Sequence, residues 1–140
     1  MWNDIAKYLP GFSSAVLNGV DTHGYPFSVR CQPELDDTAQ VLRVSLPQGT
    51  EIQPGPASLL CHKHDEWLWN LQSFVVRGTF AQDDHGWILC PLQFIPGAGI
   101  GGLWALVQFV RTGRRTTRRY LDKRGLQRPD IAWDQVEAMW

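Results

Sequence analysis

The chain has 140 residues, 44% apolar and 19% charged, which excludes a disordered protein and gives enough length to bury one core. Three cysteines, odd in number and without C-x-x-C spacing, favour reduced thiols in a cytosol over a disulfide framework. Net charge is −1 but uneven: residues 1–110 carry five basic and ten acidic side chains, residues 111–124 seven basic and one acidic.

In chain order, residues 2–8 predict a short helix closed by Pro10-Gly11. SSAVLNGV (13–20) reads as a strand, DTHG (21–24) as a tight turn, and YPFSVRCQ (25–32) as the returning strand. Its Phe27, Val29 and Cys31 share one face, with Ser28 and Arg30 on the other. PELDDT reads as a second turn. QVLRVSL (40–46) is a third strand, setting Leu42, Val44 and Leu46 against Arg43 and Ser45. A loop dense in Pro and Gly (47–56) leads to PASLLCHKH (56–64), an apolar strand with a polar end. LQSFVVRGTFAQ (71–82) and GWILCPLQFI (86–95) form a hairpin through DDHG. Six strands on short connections, with no helices alternating between them, predict a mainly β (α+β) fold: a six-stranded antiparallel barrel with a C-terminal helix.

The pattern changes at Gly97. Residues 100–124 predict a helix, apolar nearly all round at first and basic afterwards, weakened at Gly113 and capped by Gly125. A short last helix is expected within 132–139. The expected organisation is one domain, with residues 1–96 as barrel core and 97–140 as a helical extension packing on it. From Gly86 to Val110 no residue is charged, but Pro91, Pro96 and four glycines within 97–102 read as a strand and a separate helix rather than a membrane span. The N-terminus has no secretory signal pattern.

GAGIGG (97–102) matches the dinucleotide fingerprint, yet hairpin-linked strands precede it and no second parallel strand follows. The expected role is a flexible joint between barrel and helix. His62 and His64 would share one face of an extended strand, but nothing fixes a third ligand, so no metal site is assigned. Trp67 and Trp69, among seven tryptophans, lie on one side if extended, where they would stack on a ring system or join the core. Arg111, Arg115 and Arg119 line one helical stripe with Arg114 and Arg118 beside it. A contact with nucleic acid or an anionic membrane through that stripe is the less favoured reading, because no recognised nucleic-acid-binding motif accompanies it. No G-x-S-x-G setting or other nucleophile-plus-base pattern stands out.

The order of these phrases resembles a known family. SSAVLNGVDTHGYPFSVRC looks like the opening hairpin of the pyridoxamine 5′-phosphate oxidase-like, FMN-binding split barrels, with the turn D-T-H-G-Y-P at 21–26. GPASLLCHKHD followed by LQSFVVRGTF resembles that family's paired strands, the second ending in V-R-G. The resemblance spans about residues 10–95, on motif order alone. It implies a split barrel, a homodimer with FMN at the subunit interface, and a flavin-dependent oxidoreductase acting on a small molecule. By position it implies cofactor contacts from Arg30, Ser45, Thr50, His62, His64, Trp69 and Arg77. It leaves the catalytic residues unassigned. The family often has a basic residue soon after the third strand, where this chain has TEIQPGP with Glu51. A deazaflavin or haem ligand, or a carrier without catalysis, fits the same resemblance.

Overall fold

The computed structural model describes residues 1–67, 69–100, 102–130 and 132–134, with backbone alone at 103–106, 108 and 109. Two compact units divide the chain, Met1–Ala105 and Leu106–Trp140. In the first, α1 (Trp2–Tyr8) runs into a 3-10 turn (Leu9–Gly11). Six strands follow: β1 (Ala15–Val20), β2 (Pro26–Asp36), β3 (Val41–Ser45), β4 (Gly55–Lys63), β5 (Gln72–Asp83) and β6 (Gly86–Pro96). They close into a barrel in the order β1-β2-β3-β6-β5-β4, every pairing antiparallel. The predicted mainly β barrel is therefore the fold.

Alternation explains the closure. Ala15 and Leu17, Cys31, Leu42 and Val44, Leu59 and Cys61, Phe74, Val76 and Phe80, and Leu89 all turn inward and are buried. The N-terminal segment plugs the ring with Ile5, Leu9 and Phe12, while Ile52 of the β3–β4 loop and Ile100 beyond β6 complete the core. Aromatic rings knit that core: Phe12 meets Phe74 edge-on at 5.1 Å, Phe94 tilts on Phe74 at 5.3 Å, and Trp87 stacks on Phe80 at 4.7 Å.

Strand order is less simple than a run of hairpins. β1-β2-β3 and β4-β5-β6 are two meanders, joined by the β3–β4 loop. That loop is held by an isolated bridge between Asp21 and Ile52 and by the Gln53 amide bonding the Val20 carbonyl at 3.0 Å. β5 and β6 share ten paired positions around a bulge at Arg77/Gly78, whereas β3 and β6 share only two, Leu42↔Leu89 and Arg43↔Ile88. Arg43 reinforces this short seam, reaching Asp36 at 2.9 Å and Asp83 at 3.1 Å. The Ala39 amide and the Arg43 guanidinium hold Asp36 below its ordinary pKa. The His85 amide and then Arg43 do the same for Asp83.

PELDDT departs from its predicted turn. β2 continues through Pro33 to Asp36, pairing Glu34 with Arg43 and Leu35 with Leu42, and the chain turns only at 37–40. Pro33 fits because a strand accepts proline where no ladder amide is required, and Leu35 packs against the core.

The glycine cluster is corrected in part. Its upstream strands are all antiparallel, so the dinucleotide fold is absent. Yet residues 97–100 are anchored rather than loose. The Gly97 amide bonds the Ser73 carbonyl, the Ser73 amide bonds the Ala98 carbonyl, both at 2.9 Å, and Ile100 is buried. In the second unit, α2 (Gly102–Arg124) ends where Gly125, at φ +63°, lets the Leu126 amide bond the Leu121 carbonyl at 3.0 Å. The helix anticipated at 132–139 lies largely outside the described residues. No helix among the described residues is long and apolar enough to cross a membrane.

Candidate functional site

The outward side chains of β2, β1, β4, β5 and β6 form rows that run round most of the outside of the closed barrel, because the registers run through without a slip until the β5–β6 bulge. One row is polar: Ser28, Asn18, Ser58, Arg77 and Gln93. The Ser28 hydroxyl donates to Asn18 Oδ1 at 2.8 Å. The next row starts at Arg30 and is otherwise apolar: Val16, Leu60, Val75 and Ile95, all half-buried. Beyond it His62 faces Ser73, and one more step of the β1–β4 register sets Ser14 opposite His62.

The predicted contact residues divide on this wall. Arg30 donates Nη1–H to Ser14 Oγ at 3.1 Å. Ser45 pairs with Gln32, two residues along β2 from Arg30 on the same face. His62 Nδ1 is shielded from solvent and has no hydrogen-bond partner among the described residues. Arg77 stands on the same wall, four residues along from Ser73, and is exposed. His62 and Arg77 thus flank the apolar stripe on β4 and β5, Arg30 stands at its β2 end, and Ser45 lies one strand further round on β3.

Three expected residues stand elsewhere. The Thr50 hydroxyl donates to the Pro47 carbonyl at 2.7 Å, so it is occupied within its own turn. β4 ends at Lys63, which breaks the shared face expected for the two histidines. His64 lies in the next loop with Nδ1 2.8 Å from the Asp65 carbonyl. Trp69 belongs to that loop too. Asp65 Oδ1 accepts the Trp67 and Trp69 backbone amides at 3.2 and 2.7 Å, and Oδ2 accepts the Asn70 side-chain Nδ2–H at 2.9 Å. One carboxylate thereby organises a turn that presents Trp67 and Trp69 to solvent, 79% and 74% exposed. Both indoles lie outside the core.

Among the described residues no three His, Cys, Asp or Glu are grouped to hold a metal. Burial pushes the Cys31 thiol up to about 11 and, with Cys31 beside it, the Cys61 thiol up to about 12, so neither is a nucleophile at neutral pH. Ser14, Asn18, Ser58 and Ser73 were not singled out from the sequence. Their signal was there, as polar residues at period two between inward-facing neighbours on β1, β4 and β5, but only register joins them into rows. Comparison with protein-family models, with curated proteins and with solved structures finds no match for this chain.

Proposed function

We propose that the outer wall of the barrel holds flavin mononucleotide, that a second copy closes over it, and that the pair works as a flavin-dependent oxidoreductase on a small molecule. The observation carrying this reading is the makeup of the wall. A flat ring needs an apolar bed with hydrogen-bonding groups at its rim. On the neighbouring strands β1, β4 and β5, Val16, Leu60 and Val75 offer the bed, with Asn18, Ser58 and Arg77 on one side and Ser14, His62 and Ser73 on the other. The unsatisfied Nδ1 of His62 is a shielded polar atom that a bound ligand would satisfy. Arg30 has no carboxylate partner among the described residues, which leaves its guanidinium for a phosphate. With Thr50 occupied and no basic residue after β3, phosphate contacts fall to Arg30, with Ser14 and Ser45 near it. The likeness to the pyridoxamine 5′-phosphate oxidase-like family supports the same choice, with deazaflavin and haem as alternative occupants.

When bound, the flavin supplies hydride-transfer chemistry. This chain's residues bind and orient it, and the second copy excludes water from the bed. Reduced thiols suit a reducing compartment such as the cytoplasm. The test is a spectrum and a mass of the small molecule released on denaturation, with the oligomeric state measured by sedimentation. A flavin band near roughly 450 nm, one FMN per chain and a dimer are expected. A colourless monomer that takes up no added FMN overturns the reading. Reduction of the bound flavin by a nicotinamide donor distinguishes an enzyme from a carrier.

A further inference from the structure

The C-terminal turn of α2 folds the following segment back along the helix, and a cleft of about 580 Å³ opens between them. Three guanidiniums line it, Arg114 and Arg118 one turn apart on the helix and Arg128 from the returning segment. The Thr117 hydroxyl and the Gln127 amide add neutral donors, while Leu121 and Leu126 form an apolar side. The Gly125 turn, with its two backbone bonds to Asp122 and Leu121, builds this arrangement locally.

We infer that this cleft binds the phosphate of a small organic phosphomonoester, with the organic group lying against Leu121 and Leu126. Arginine presents a planar fork that matches phosphate oxygens in pairs, and three of them line this cleft. Among the described residues one acidic group, Asp122, shares the cleft; its contact with Arg118 is 4.0 Å between side chains 86% and 71% exposed, too loose to occupy that guanidinium. The negative end of the α2 dipole opposes an anion, but it amounts to about half a charge against three full ones. The volume falls in the ordinary range for small-ligand sites, roughly 300–1,000 Å³, and exceeds the needs of inorganic phosphate alone. The described lining lies within residues 114–128, so its test stands apart from whether the barrel holds a flavin.

The test titrates 4-nitrophenyl phosphate into the full chain while following the arginine Nε–H resonances. Saturable shifts at Arg114, Arg118 and Arg128 are expected, with 4-nitrophenol and inorganic phosphate each binding at least tenfold more weakly. Arg114→Gln and Arg128→Gln should each reduce affinity about tenfold, the loss of a charge-assisted bond. Arg111→Gln, outside the cleft, should leave it within about twofold. All these side chains are exposed, so unchanged circular dichroism will show the variants folded. The inference is overturned if all seven arginines of 111–128 shift alike without saturation, or if Arg111→Gln weakens binding as much as Arg114→Gln. It is equally overturned if a single-stranded oligonucleotide or an anionic phospholipid vesicle binds through Arg111, Arg115 and Arg119 while the phosphomonoester does not bind.

Discussion

Replacing Gly78 by alanine should open the barrel at its bulge. An added Cβ would stand 2.1 Å from the Cys90 carbonyl oxygen, 2.9 Å from its carbon and 3.2 Å from Pro91 Cα, all backbone atoms of β6. No side chain there can rotate away. The two strands must separate by about 1 Å to restore van der Waals contact, which stretches the ladder beside the bulge and leaves backbone groups short of partners. Overpacking and lost backbone bonds together predict a destabilisation of about 2–4 kcal/mol. For a unit of this size that lowers Tm by about 8–16 °C. The same substitution at Gly113, mid-α2 with nothing within 4 Å, should instead stabilise the helix by up to about 1 kcal/mol. Denaturant unfolding followed by near-ultraviolet dichroism reports the barrel, and dichroism at about 222 nm reports the helix. If Gly78→Ala costs under about 0.5 kcal/mol, or both variants move stability the same way, the close approach at the bulge does not govern this seam.

Three other outcomes follow from the geometry. Native thiol titration at neutral pH should count one reactive cysteine, the half-buried Cys90, and three in denaturant; reaction of Cys31 or Cys61 in the native state would contradict their burial. Because those two thiols titrate higher folded than unfolded, stability should also fall as pH rises from about 9 toward the folded values of about 11 and about 12. Asp36 and Asp83 have the opposite sign. Their folded pKa values are depressed, so their contribution is present above the ordinary carboxylate range and is lost as pH falls below about 4. Arg43→Gln should flatten that acid loss only in part, since the Ala39 and His85 amides remain, and an unchanged unfolding profile from pH 5 to 2 would refute the clamp. In the wall, Arg30→Gln should weaken FMN binding about tenfold or more, whereas Thr50→Val should leave it within about twofold; equilibrium dialysis checks both, and the reverse ranking would remove Arg30 from the phosphate site.

Much of the barrel was legible because its strands are short alternating runs bounded by turn chemistry. D-T-H-G at 21–24 and D-D-H-G at 83–86 both mark real reversals, with Asp21 and Asp83 accepting amides two residues on. The end of β2 was not legible, since Pro33 and the Asp36-Asp37 pair carry turn signals that pairing with β3 overrides. Strand order was hidden for a different reason. Nothing local says that β3 closes on β6 and β1 on β4, because those contacts join residues far apart in sequence. The candidate site shared that fate: Arg30, His62 and Arg77 were visible as polar residues on strands, but the stripe between them exists only after the ring closes. The joint at 97–100 looked mobile from its glycines, whereas hydrogen bonds to Ser73 hold it.

The short β3–β6 seam has a consequence for behaviour in concentrated solution. Two paired positions, the buried Leu42–Leu89 contact and the Arg43 clamp fasten the ring there, so it will part there first when salt or acid weakens Arg43's hold. The parted strands present raw edges whose amides and carbonyls invite a neighbour's chain. Clumping should therefore begin at that line, in acid or brine, well before the tightly laced β4–β5–β6 side comes undone.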